Sequence, residues 1–182
     1  MVRILWLVGM PGAGKTTLGR QLGIRYVDTD DLILKTTGVE DLSLVVQQAT
    51  TDDAFYALEG RVVEQLANDL NKDLKKNEHD RSPIVVATGG SVVHSPRAVA
   101  AMQTTPNSMI VWIRATHDDL LRRCGGVVGM RARGVVLDEH GNMHELLRKR
   151  CPLYAAVAHR QINTSEHGLA ACCASLKEML SV

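Results

Sequence analysis

The stretch Gly9-Met10-Pro11-Gly12-Ala13-Gly14-Lys15-Thr16-Thr17 constrains this chain more than any other. It has the spacing Gly-x-x-x-x-Gly-Lys-[Ser/Thr] and follows an apolar run, residues 2–8, that reads as a buried strand. Glycines there let successive backbone N–H groups point inward as a cage for phosphate oxygens, and the helix that follows presents its positive end to the same anion. Gly12, Ala13, Gly14, Thr16 and Thr17 are the candidate cage residues. Lys15 is placed to reach the outer phosphates, and the Thr16 hydroxyl to ligate Mg²⁺. A nucleoside triphosphate site is the expectation.

With 182 residues the chain suits one domain, 1–182, long enough to bury a core without disulfides. Lys plus Arg number 21 against 20 Asp plus Glu, so no overall field would draw the protein onto nucleic acid or an anionic membrane. A small metabolite is the expected partner. The cysteines, Cys124, Cys151, Cys172 and Cys173, lack Cys-x-x-Cys spacing and read as free thiols in a reducing compartment. The apolar N-terminus is too short to span a bilayer and runs straight into the glycine-rich stretch, so a cytoplasmic protein without signal peptide or anchor is expected.

Taken in order, Lys15 to about Gly23 reads as a helix and residues 24–27 as a second strand. Asp28-Thr29-Asp30-Asp31 follows. Carboxylates just past a strand end can orient a metal's water shell and accept a hydroxyl proton, and the same cluster can cap the next helix. Residues 29–50 read as irregular helix broken at Gly38. Asp52 or Asp53 is the expected cap of a helix carrying Phe55, Leu58, Val62, Leu66 and Leu70 on one face. Residues 71–82 read as a solvated loop, in which Asn71-Lys72-Asp73 falls one residue short of the guanine-reading pattern and disfavours a GTPase.

Residues 83–88 form a third expected strand, closed by Gly89-Gly90-Ser91. That position is either a plain tight turn or a place of close backbone approach to a ligand at the substrate edge of a parallel sheet. Ser95-Pro96 starts a helix, residues 108–114 make a fourth strand, and Thr116 opens the next helix. From about 125 to 143 periodicity fails; the many glycines with Arg131 and Arg133 read as a mobile lid that closes an arginine over the transferring phosphoryl group, or as a solvated loop. A helix bent at Pro152, a fifth strand at 160–163, and a last helix over 168–180 capped by Thr164 or Ser165 complete the chain. His140 and His144 have ligand-like spacing, but nothing completes a zinc site.

These residues together resemble the shikimate kinase family over essentially the whole chain. The likeness is carried by the phosphate loop at 9–17, Asp-Thr-Asp at 28–30, Phe55 with Leu58-Glu59, Thr88-Gly89-Gly90, Arg123 before the glycine-bearing segment, and Arg150-x-Pro-Leu-Tyr at 150–154. It implies a monomeric α/β protein with three layers, a five-stranded parallel sheet with helices on both faces, and transfer of the ATP γ-phosphate to the 3-hydroxyl of shikimate. It also implies that Thr16 and Asp28 serve Mg²⁺, that Asp30 holds or deprotonates the acceptor hydroxyl, and that Gly89, Gly90, Ser91 and Arg150 line the acceptor pocket. Arg123 would flank adenine and Arg131 would be the lid cation. The family motif Phe-Arg-x-x-Glu reads Phe55-Tyr56-Ala57-Leu58-Glu59 here, so Tyr56 stands where an arginine grips the acceptor carboxylate. Arg61 lies about 140° away around the helix and cannot replace it. A lost charge-assisted pair costs about 1.5 to 3 kcal/mol. The alternatives are therefore a related kinase for another hydroxylated metabolite and a non-catalytic, nucleotide-binding paralogue.

Overall fold

Every residue of β1 (Ile4–Val8) is fully buried, although successive side chains of a strand point to opposite faces; both faces of the sheet must therefore be covered. The computed structural model describes residues 1–76, 82–132, 135 and 142–180, without the side chains of 131 and 132. Around β1 lie β2 (Arg25–Asp28), β3 (Ile84–Ala87), β4 (Ser108–Arg114) and β5 (Arg160–Asn163), in the order β2-β3-β1-β4-β5. All pairings are parallel. Because β1 has β3 on one side and β4 on the other, the connections diverge beyond its carboxyl end, and the crevice this leaves is where open α/β sheets take ligands. Register brings the exits of β1, β2 and β3 to that edge, with β4 alongside and running two residues further: Leu7 pairs with Ala87, Asp28 with Ala87, and Val8 with Trp112.

The helices are α1 (Lys15–Gln21), α2 (Thr29–Thr37), α3 (Leu42–Gln48), α4 (Asp52–Lys76), α5 (Pro96–Thr104), α6 (His117–Cys124), α7 (Gly126–Ala132), α8 (Met143–Val157) and α9 (Leu169–Leu180). Three expected boundaries hold for the expected reason. Ser95 accepts from the Ala98 amide with Pro96 in the first turn, Thr116 accepts from the Asp119 amide, and Gly38 closes α2 in a left-handed conformation.

Four expectations change. The cap of α4 is Thr51, whose hydroxyl accepts from the Ala54 amide at 3.2 Å, while Asp52 and Asp53 occupy the first turn. Helix α4 runs on to Lys76 because Leu70 is buried and Leu74 packs against the core, which outweighs the polar composition of 71–76; residues 77–81 lie outside the described residues. Part of the aperiodic 125–143 segment is helix, α7, anchored by fully buried Met130; residues 133, 134 and 136–141 lie outside the described residues. Helix α9 begins at Leu169, and neither Thr164 nor Ser165 caps it. Their hydroxyls serve other segments: Ser165 accepts from the Thr116 amide at 2.9 Å, and Thr164 donates to the Ala13 carbonyl at 2.9 Å.

The core divides in two. The larger cluster surrounds the sheet, and a separate small one, Ile33, Val45, Phe55 and Val62, holds α2, α3 and the start of α4 together. Among the described residues no helix is long and apolar enough to cross a membrane.

Candidate functional site

At the carboxyl edge of the sheet lies a cavity of about 850 Å³. Its first wall is the phosphate loop. Gly9 leaves β1 at φ 143°, and a Cβ there would run into the Ile113 carbonyl, so only glycine lets the loop cross β4 so closely. Gly12, Gly14, Lys15, Thr16 and Thr17 line the cavity. Ala13 does not: its amide donates to the Met10 carbonyl at 3.1 Å and closes the turn instead of facing the cage. Lys15 Nζ donates to the carbonyls of Gly9 at 2.6 Å and Met10 at 3.0 Å, which leaves the third of its protons for an anion. Burial lowers its pKa to about 8, against the opposing pull of Asp30 and Asp28.

The floor is Asp28, at the end of β2. One of its carboxylate oxygens caps α2 by accepting from the Asp30 amide at 3.1 Å, and the other accepts from the Thr16 hydroxyl at 3.1 Å. Capping and site placement, alternatives in the sequence, coincide in one side chain. A hydroxyl beside a carboxylate is an all-oxygen set of the kind Mg²⁺ takes, since that ion keeps several waters and needs only one or two protein ligands beside phosphate. Among the described residues no cluster of three His, Cys, Asp or Glu side chains forms a metal site. His144 stacks on His117 with ring centroids 3.8 Å apart, and His140 lies outside the described residues.

The acceptor wall is assembled from distant segments. The Gly89 amide donates to the fully buried Thr29 hydroxyl at 3.0 Å, tying the Asp-Thr-Asp turn to the exit of β3. A Cβ at Gly89 would run into the Glu59 carboxylate and stand 3.0 Å from Asp30, so the glycine is what admits two acids side by side. Desolvation, then Asp28, raises the Asp30 pKa to about 6, with Lys15 pulling the other way. Desolvation, then Asp30, raises that of fully buried Glu59 to about 8. Glu59 accepts from the Ser91 hydroxyl at 2.8 Å, and its other oxygen has no partner among the described residues. Arg150 lines the cavity although only 2 % exposed, and its Nε has no partner among the described residues. The Tyr154 hydroxyl donates to the Gly90 carbonyl and fixes the second glycine.

Tyr56 sits beside Arg150, at the edge of the acceptor wall. Its ring stacks on His94 with centroids 4.8 Å apart and does not line the cavity; its hydroxyl interacts with Arg150 from the side. At the far end, Arg123 is held by Asp119 at 3.1 Å and by the Thr164 hydroxyl at 2.8 Å, and its guanidinium faces the cavity beside His167 and Leu169. The Arg131 side chain and Arg133 lie outside the described residues. Sequence reasoning gave Thr29 and Thr164 only capping roles and assigned Glu59 and Tyr154 no place in the site. For Glu59 a signal existed: an acid one turn beyond Phe55 on the apolar face of α4.

The shikimate kinase family model matches residues 11–181. The chain is 32% identical over 172 residues to the shikimate kinase of Mycobacterium leprae, covering 91% of this chain and 76% of that protein. It is 32% identical over 167 residues to that of Thermobifida fusca, covering 88% and 85%. Among solved structures it is similar to the shikimate kinase of Acinetobacter baumannii in complex with shikimate, at TM-score 0.78 and 25% identity, covering 100% of this chain and 94% of that one.

Proposed function

The chain belongs to the shikimate kinase family, and from that premise we propose that it transfers the γ-phosphate of Mg·ATP to the 3-hydroxyl of shikimate. The observation that carries the reading is that Asp30, Gly89, Gly90 and Arg150 face the phosphate loop across one cavity. A proton acceptor, a glycine-lined seat and a buried cation are what a small hydroxy acid needs opposite a phosphoryl donor.

In this mechanism the loop amides and Lys15 hold the β- and γ-phosphates, and Asp30 hydrogen-bonds the acceptor hydroxyl. The acceptor oxygen bonds to the γ-phosphorus as the β–γ bridge bond breaks; the hydroxyl proton passes to Asp30 and ADP leaves. A carboxyl with a pKa near 6 is ionised at neutral pH yet basic enough to take that proton. Mg²⁺ on Thr16, with a water held by Asp28, would neutralise phosphate charge. Arg150, whose buried Nε has no hydrogen-bond partner among the described residues, is suited to the acceptor's carboxylate, with Ser91 and Tyr56 at its margins. Arg123 would flank adenine. The flap role of about 125–143, with Arg131 as its cation, draws support from Val135, which reaches the cavity wall. The reading places a monomer in the cytoplasm, in keeping with its free cysteines.

The test is ADP release with Mg·ATP and a panel of hydroxy acids. Shikimate-dependent turnover that exceeds that with its carboxamide analogue is expected; no acceptor stimulation with any member would overturn the proposal.

A further inference from the structure

Asp28 is held by more than the two contacts the phosphate-transfer reading uses. Two residues earlier on β2, and therefore on the same face of the strand, Tyr26 donates its hydroxyl to the Asp28 Oδ2 atom at 2.5 Å. The ring has little freedom to leave. It lies against Gly19 of α1, where a Cβ would run into the ring carbons, and the Arg20 guanidinium sits 5.8 Å from its centroid. Thr16, Gly19 and Arg20, at spacings of three and four, form one face of α1, so that face meets the Tyr26–Asp28 face of β2 and closes over the hydroxyl contact.

The acceptor sites of the carboxylate can be counted. An ionised aspartate offers about four lone-pair positions. Tyr26 and Thr16 donate to Oδ2 and the Asp30 amide to Oδ1, which occupies three and leaves one on Oδ1. Because the Thr16 hydroxyl spends its proton on Asp28, its own lone pairs are free for a cation. Asp28 and Thr16 both line the cavity.

We propose that Tyr26 is a positioning residue for the magnesium side of the site: its hydroxyl locks the Asp28 carboxylate beside the Thr16 oxygen, the pair of groups that would hold Mg²⁺ and its water. Asp28 and Thr16 line the cavity and Tyr26 stands behind them. It acts through Asp28, in the way that groups behind a metal's direct partners set the partners' orientation. The inference rests on the nucleotide half of the reading above and is independent of which acceptor is phosphorylated.

The test is calorimetric titration of ADP, with EDTA and with saturating Mg²⁺, into the parent protein, Tyr26→Phe, Asp28→Asn and the double variant. Phenylalanine keeps the ring against Gly19, and a thermal melt confirms that each variant is folded. The parent should bind ADP more tightly with Mg²⁺ than without. Tyr26→Phe should shrink that magnesium-linked gain by about tenfold, leave the affinity in EDTA within about twofold, and have no further effect in the Asp28→Asn background. An undiminished gain in Tyr26→Phe, an equal loss in EDTA, or a full additional loss on top of Asp28→Asn would each overturn the positioning role. If the parent itself shows no magnesium-linked gain, the metal assignment falls and takes this inference with it.

Discussion

The phosphate wall of the cavity comes from one short stretch of chain, Gly12 and residues 14–17, seated on the exit of β1 and the main core. The facing wall draws Asp30, Gly89 and Arg150 from α2, the turn after β3, and α8, with Glu59 of α4 behind Gly89, and is partly supported by the small separate cluster around Ile33 and Phe55. Backbone amides and a single ammonium do the binding on the first wall, so its chemistry follows from a turn conformation. On the second, two acids and a buried guanidinium crowd one desolvated space: burial raises both carboxyls, Asp30 raises that of Glu59 further, and Arg150 opposes that rise. The difference implies that the first wall fails all at once when its lysine is lost, whereas the second is tuned by pH and by single side chains.

The bluntest way to break the comparison is Lys15→Met, expected to lower turnover by about 10³-fold or more in a coupled ADP-release assay; parent-like rates would refute the role of that ammonium. Asp30→Asn should cost about 10²- to 10³-fold in kcat while ADP affinity stays unchanged, which would show that the walls fail independently. A matching drop in nucleotide affinity would mean they do not.

Sharper is Tyr56→Arg. A second guanidinium beside Arg150 should lower the KM for shikimate by about tenfold and leave that for ATP alone. An unchanged KM would mean that the Tyr56–His94 stack, not the missing charge, governs this corner. With pH as the variable, kcat/KM should fall about tenfold per unit below about pH 6, as the Asp30 carboxyl takes up the proton it must later accept from substrate. A profile flat down to pH 5 would remove Asp30 from that step.

The smallest effect concerns stability. Glu59 ionises near 4.5 in the unfolded chain but holds its proton to about 8 when folded, so the native state binds more protons between those values and stability declines as pH rises through them. Glu59→Gln removes that slope; its melting temperature should exceed the parent's by about 2–4 °C at pH 8 and match it more closely at pH 5. Parallel pH profiles for the two proteins would show that this carboxyl is not the cause.

The contrast between the walls is also a contrast in legibility. Gly9 to Thr17, the strand before it and the caps at Ser95 and Thr116 could be read directly, because each depends on hydrogen bonds between residues a few positions apart. The Ala13 amide escaped that reading, since which loop amides face inward depends on the turn actually adopted. Likewise, composition made 71–76 look like loop, and only the packing of Leu70 and Leu74 extends α4 through it. Thr164 looked like a helix cap and is instead a tie between Ala13 and Arg123.

By itself, then, the order of residues determined the succession of strands and helices, the phosphate-binding turn and the family resemblance, all of which rest on local geometry and spacing. Tertiary structure alone decided that Tyr56 turns to His94, that Glu59 and Asp30 meet at Gly89, and that Tyr26 reaches Asp28 beneath α1. The reason is physical: those contacts join side chains whose directions are set by how elements pack against one another, and packing is a property of the assembled core that no short window of sequence contains.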